Sequence, residues 1–147
     1  EADLAVVVGK RSRWLTKENA LAAVFGYTSA NDVTARDLQQ SDGQWSRAKG
    51  FDTFCPVGPW IETVFDPTDA IITCYVNNML RQMSSTREMI FGIQQIMMYA
   101  SSVMTLEPGD LILTGTPAGV GQLQHGDQVS VHIDGIGTLF NRVSAER

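Results

Sequence analysis

Residues 26–54 read GYTSANDVTARDLQQSDGQWSRAKGFDTF, and this stretch limits the possible folds more than any other. Asp32, Arg36, Asp37, Gln39, Arg47 and Lys49 crowd together in it, with Trp45 and Phe51 set between them. Apolar, β-prone runs flank it on both sides. A solvated loop has no need of Trp and Phe between its charges. A core segment could not hold this many charges unpaired, because burying an uncompensated charge is costly. The stretch therefore reads as the wall of a site: acids, bases and amides held around an ion or an anionic ligand.

The scaffold for such a wall comes from the rest of the chain. Its 147 residues suffice for one domain with a real core, and a balance of 44% apolar to 18% charged residues is that of a globular protein. The formal net charge of -5, with no basic stripe, argues against a nucleic-acid partner. No apolar run approaches the ~20 residues of a spanning helix, which argues against a membrane partner. Cys55 and Cys74 form no CxxC pair and read as two buried free thiols in a reduced, cytoplasmic setting. The chain opens Glu1-Ala2-Asp3, with neither Met nor signal peptide, as a piece of a longer protein does.

Strand signals dominate. Residues 4–8 form a short apolar run ending at Gly9, and period two puts Glu1 and Asp3 on one face with Ala2 and Leu4 on the other. Thr16 as N-cap, Glu18 in the first turn and Gly26 as the stop predict a helix over 17–25. A strand is expected at 27–30, a turn at Ser41-Asp42-Gly43, and an extended or turning connection over 54–60, where two prolines fall. A strand over 71–76 precedes a reversal at Asn77-Asn78. Ser85 and Glu88 have capping-box spacing, and apolar residues at steps of three and four predict a long helix over 86–104. Its methionines read as a core or subunit-packing face. A strand over 111–113, a Gly-rich loop over 114–121 and a hairpin turning at Asp134-Gly135 complete a mixed α+β, predominantly β chain with two principal helices.

Three constellations carry possible chemistry. Glu1, Asp3 and Asp32 could offer three carboxylate oxygens to a hard divalent cation, or could be solvated acids at strand ends. Arg36, Gln39 and Lys49 could bind an anion: Arg presents a planar fork to a carboxylate, Gln donates to an enolate or keto oxygen, and Lys49 beside a cation could move a proton. Arg36, Asp37, Arg47 and Lys49 could instead form a surface salt-bridge network. The loop TGTPAGVG lacks the Lys of a phosphate loop; its backbone could approach a ligand and Thr116 could donate to a carboxylate, or it could be a connection and no more. His125 and His132 lie apart from the acids and read as surface or core histidines.

Taken together, EADLAVVVGK, GYTSANDVTARDLQQSDGQW, AKGFDTFCPVGPWI, MTLEPGDLILTGTPAGVG and GDQVSVHIDGIGTLFN resemble the catalytic, C-terminal domain of the fumarylacetoacetate hydrolase family, nearest to the bacterial 2-hydroxyhepta-2,4-diene-1,7-dioate isomerases. The resemblance implies a β-roll fold over residues 1–147, a Mg²⁺ or Mn²⁺ site, a homodimer and a small anionic keto-acid substrate. Its E-x-E metal motif falls on Glu1 and Asp3, with Asp in place of the commoner Glu, and its third acid falls on Asp32. Its catalytic and substrate-binding Arg, Gln and Lys fall on Arg36, Gln39 and Lys49, and the threonine of its GTP loop on Thr116. The family's upstream segment, with a lid and often a His-Glu pair that activates water, has no counterpart in the 147 residues. The implied chemistry is C–C hydrolysis or isomerisation of acylpyruvates or 2-hydroxy-diene dicarboxylates through a metal-chelated enolate. Oxaloacetate-type decarboxylation is one alternative, and a non-catalytic dimerisation or ligand-binding module is another.

Overall fold

The computed structural model describes residues 1–145. Eight strands form two four-stranded antiparallel sheets. The first has the order β3 (Val57–Glu62), β2 (Val24–Asn31), β1 (Ala2–Val8), β6 (Leu111–Leu113). The second has the order β5 (Met79–Ser85), β4 (Ile71–Val76), β7 (Gln128–Ile133), β8 (Gly137–Arg142). Three α-helices accompany them: α1 (Arg36–Asp42), α2 (Ser46–Lys49) and α3 (Ile93–Val103). The mixed α+β, mainly β class expected from the sequence is the one the chain adopts.

The strand β1 is buried at all seven positions, because β2 and β6 flank it and both of its faces are covered. Its even positions Ala2, Leu4, Val6 and Val8 join Ile72, Cys74, Val129, Val131 and Ile133 in the core where the sheets pack. Each large aliphatic side chain buried this way contributes roughly 1.5–3 kcal/mol. Asp3 sits in the other phase of the same strand and is also buried, so the core strand carries a carboxylate on its second face. Asn77 and Asn78 both have positive φ (51° and 63°) and make the two-residue turn that pairs β4 with β5.

Several expected elements are redrawn. The helix over 17–25 is a 3₁₀ turn at Ala20–Ala23, and Val24 and Phe25 already belong to β2, where Val24 pairs with Val8. Gly26 is an interior strand residue, not a stop: a Cβ there would lie 2.6 Å from the Glu62 carbonyl oxygen of β3. The connection over 54–60 contains the start of β3. The long helix over 86–104 divides into a 3₁₀ turn at Thr86–Glu88, an extended step, and α3 after Gly92. Ser85 Oγ accepts from the Arg87 N–H, so the reciprocal box with Glu88 does not form. Met97 is buried in the core as expected, while Met104 is exposed. Of the two predicted helices only α3 is an α-helix; α1 and α2 are not anticipated from the sequence, nor is β5.

Candidate active site

Pairing of β1 with β2 brings the three acids together. Ala2 lies opposite Asn31 and Asp3 opposite Ala30, and the Asp32 N–H donates to the Glu1 carbonyl at 2.8 Å, so the start of one strand is zipped to the end of the other. One oxygen each from Glu1, Asp3 and Asp32 then falls within 4.8 Å of the others. The shorter Asp at position 3 does not open the cluster.

The polar stretch next turns into helices. Gly43, with φ 70°, ends α1, as the turn signal there suggested. In α1, Arg36 and Gln39 stand three residues apart on one face, and Arg36 Nη1 donates to Gln39 Oε1 at 2.8 Å. The Ala35 N–H donates to the Ala48 carbonyl at 2.9 Å and ties α1 to α2, whose last residue is Lys49. Lys49 Nζ donates to Glu1 Oε2 at 3.0 Å and to Asp32 Oδ2, and Arg36 Nη2 donates to Glu1 Oε1. The interleaved aromatics have places too: Lys49 Nζ stands 6.0 Å from the Trp45 ring, and Phe51 packs on Phe54. Ion pairs run through the stretch: Arg47 bonds Asp42 at 2.7 Å through Nε, while Arg36 pairs with Glu1 and Lys49 with Glu1 and Asp32 in the acid cluster.

Glu1 and Asp3 differ electrostatically. Burial pulls the Glu1 carboxyl up, but hydrogen bonds from Arg36 and Lys49, with their charges, outweigh it and hold the group below its ordinary value. Asp3 goes the other way. Burial pushes it up to about 6; the Gly115 N–H opposes this, and the charges of Asp32 and Glu1 add to it. Asp3 Oδ1 accepts from Gly115 N at 2.7 Å, whereas Oδ2 is buried with no hydrogen-bond partner among the described residues. An orphaned carboxylate oxygen beside two further carboxylates is what a bound cation would satisfy. The donor set is all hard oxygen, which suits Mg²⁺ or Mn²⁺.

Burial disfavours the charge of Lys49, yet the hydrogen bonds and charges of Asp32 and Glu1 dominate and raise the group above its ordinary value. In this structure two carboxylates accept from its ammonium. Both cysteines are free, Cys74 buried as expected and Cys55 only half-buried, and burial pushes both thiols up.

The Gly-rich loop after β6 reaches the cluster from the far side. Thr114 bonds the Leu4 carbonyl through its N–H at 3.1 Å and its hydroxyl at 2.8 Å, and Gly115 bonds Asp3. Thr116 Oγ1 accepts from Gln82 Nε2 at 2.7 Å. Sequence reasoning missed Gln82, which is buried in the edge strand β5; its same-phase neighbours Leu80 and Ser84 form no apolar pattern that would mark it. An open cleft of about 1100 Å³ is lined by Glu1, Asp32 and Arg36 on one side and by Leu123, Phe140 and Arg142 on another. Thr116 lines a separate cavity of about 330 Å³ with Gly115, Met89 and Ile96. Both histidines lie outside the acid cluster: His132 contacts Thr138 and Asp134 in the β7–β8 hairpin, and His125 Nδ1 accepts from Ala145 N. Among the described residues no helix is long and apolar enough to cross a membrane.

The family model described as fumarylacetoacetate (FAA) hydrolase C-terminal matches residues 1–144. The crystal structure of 5-carboxymethyl-2-hydroxymuconate delta-isomerase from Mycobacterium smegmatis is 49% identical and superimposes with a TM-score of 0.98, covering 100% of this chain and 59% of that one. Maleylpyruvate hydrolase from Sphingobium sp. SYK-6, in complex with manganese(II) and pyruvate, is 40% identical with a TM-score of 0.91, covering 100% of this chain and 54% of its own. A mitochondrial oxaloacetate tautomerase of Bos taurus is 44% identical over 155 residues, 97% of this chain and 49% of the relative. The chain spans about half to two thirds of the length of the curated relatives it matches.

Proposed function

The chain belongs to the fumarylacetoacetate hydrolase family through its C-terminal domain, and from that premise we propose that it is a Mg²⁺- or Mn²⁺-dependent enzyme. Its substrates are small 2-oxo or 2-hydroxy-diene acids, which it hydrolyses at a C–C bond or isomerises. One observation carries the reading: the buried, unpartnered Oδ2 of Asp3, set with Glu1 and Asp32 among the cations Arg36 and Lys49.

Glu1, Asp3 and Asp32 would hold the ion. Lewis-acid polarisation of a 2-oxo oxygen is the chemistry such an ion supplies when bound. Arg36 presents its guanidinium fork to the substrate carboxylate, which takes over the place of Glu1 as its partner. Gln39 has its Oε1 engaged by Arg36, so its Nε2 is the free donor for a substrate oxygen. Lys49 carries a proton at Nζ and stabilises negative charge as it develops, or delivers the proton to carbon. Thr116 donates to the carboxylate end.

Hydrolysis, decarboxylation and keto–enol exchange all pass through an electron-rich enolate, and these residues serve each. The isomerase and hydrolase neighbours support the first reading. The tautomerase relative supports a second, proton exchange on oxaloacetate, for which the ammonium of Lys49 is suited. A homodimer is part of the proposal, supported by the exposed Tyr99, Val103 and Met104 of the α3 end.

The test is turnover of an acylpyruvate and of oxaloacetate by the full-length protein, with and without Mg²⁺ or Mn²⁺, for wild type and Asp32→Ala. Turnover should vanish with EDTA, return with metal, and fall by two orders of magnitude or more in the variant. A wild type that binds no metal would overturn the carboxylate site and leave a ligand-binding module as the better account.

A further inference from the structure

Gln82 joins the two halves of the proposed site. Its side chain is buried, at 3% exposure, and reaches from the second sheet to the first. Oε1 accepts from the Ala2 N–H at 3.1 Å, between the acids Glu1 and Asp3. Nε2 donates to Thr116 Oγ1 at 2.7 Å and to the Pro117 carbonyl at 2.8 Å.

The chemistry of the partners fixes the amide. An Ala2 N–H can only donate and a Pro117 carbonyl can only accept, so the amide cannot be flipped without breaking both bonds. Its nitrogen therefore faces Thr116, and Thr116 Oγ1 is the acceptor. The hydroxyl hydrogen of Thr116 is left over, with no acceptor among the described residues.

We infer that Gln82 is a positioning residue: it locks the Gly-rich loop against the strand carrying Glu1 and Asp3, and it turns the Thr116 hydroxyl into a dedicated donor for an anionic oxygen of the substrate. The inference rests on the reading of Thr116 as a carboxylate-binding residue. It assigns Gln82 a task that packing alone does not require, since an apolar side chain of equal size would fill the same space.

Two substitutions in the full-length, metal-loaded protein separate these roles. Gln82→Glu keeps the size and the acceptor for Ala2 N, but the introduced carboxylate has no N–H for Thr116. The Thr116 hydroxyl then donates to it and is lost to the substrate. Gln82→Met keeps the bulk and removes every hydrogen bond; it serves where the charged variant fails to fold. For each, KM for an acylpyruvate should rise about tenfold or more, the loss expected when one hydrogen bond to a charged group is removed. The kcat should stay within about threefold in both, and Mn²⁺ affinity within about twofold in the uncharged Gln82→Met, as for an interaction made equally in ground and transition states. Thr116→Val should raise KM by a similar factor, and adding Gln82→Glu to it should raise KM no further, because the two act as one unit.

If Thr116→Val raises KM while neither Gln82 variant does, the inference falls and the reading of Thr116 stands. Full additivity in the double variant also overturns it. If Thr116→Val leaves KM unchanged, the carboxylate-binding role of Thr116 is wrong, and the inference falls with it.

Discussion

The ammonium of Lys49 stands 3.0 Å from Glu1 Oε2, and the same nitrogen donates to Asp32. Lys49 thus occupies the carboxylates that a divalent ion would need, and acts as its competitor. Replacing it with Met removes that competition while leaving the three acids in place. Lys49→Met should bind Mn²⁺ about as tightly as wild type or up to roughly tenfold more tightly, since a like charge beside the ion is gone. Turnover should nevertheless fall at least a hundredfold, the scale of a lost general acid–base group. Calorimetric titration with Mn²⁺ and a turnover assay check both halves. A variant that binds metal tenfold more weakly would show that Lys49 organises the acids instead of competing for them.

Asp3 carries the opposite tension, since the arrangement that prepares it for a cation destabilises the metal-free chain. A carboxyl held at about 6 when folded, against an ordinary 3.8, keeps its proton more tightly in the folded state. Its contribution is favourable below the ordinary value and is lost as pH climbs toward about 6; above that the ionised group costs up to about 3 kcal/mol. Asp3→Asn removes this cost and keeps an oxygen for the Gly115 N–H. The metal-free variant should melt several degrees above wild type at pH 7.5, with the gap narrowing toward pH 4.5. It should no longer bind Mn²⁺. Thermal melts at the two pH values, with EDTA present, decide it; a variant less stable than wild type at pH 7.5 refutes the account.

The same shift sets a pH dependence for metal binding. Glu1 is held below its ordinary value and stays ionised through the neutral range, so Asp3 is the group that must release a proton. Mn²⁺ affinity should fall about tenfold per pH unit below about 6 and level off above about 7. A profile that is flat between pH 5 and 7 would remove Asp3 from the ligand set.

Much of this was legible in the residues, and the failures have physical causes. The strands β1, β4 and β7 are inner strands with dense apolar content, and their sequences announce them. The polar stretch stood out because Trp45 and Phe51 interrupt its charges, although both rings are exposed in the fold. The helices α1 and α2 within it were not legible, because α1 buries none of its residues and α2 only Ala48, leaving no apolar stripe to read. The predicted helix over 17–25 failed for the reverse reason: Leu21 and Phe25 have helical spacing but are exposed, and pairing of Val24 with Val8 takes the chain into β2. The capping signal at Ser85 was real but served a 3₁₀ turn, with Gly92 starting α3 seven residues on. Gln82 was invisible because its partners lie on Ala2 and on the loop after β6, joined only by the tertiary fold.

The Gly-rich loop offers two glycines with opposite demands. Gly119 has φ 108°, and a Cβ there would lie 2.0 Å from the Arg81 carbonyl oxygen, next to the Gln82 that holds Thr116. Neither the left-handed backbone nor the contact tolerates a side chain, because the obstacle is the backbone of β5 and cannot swing aside. Gly119→Ala should cost about 3 kcal/mol or more, and the folded remainder should show a raised KM as the loop is pushed off Gln82. Gly121 has open space around its Cβ position. Gly121→Ala should therefore change stability by no more than about 0.5 kcal/mol. Denaturant melts of the two variants compare them directly. Equal stability would mean that the loop does not lie against Arg81, and the seat of Thr116 would have to be redrawn.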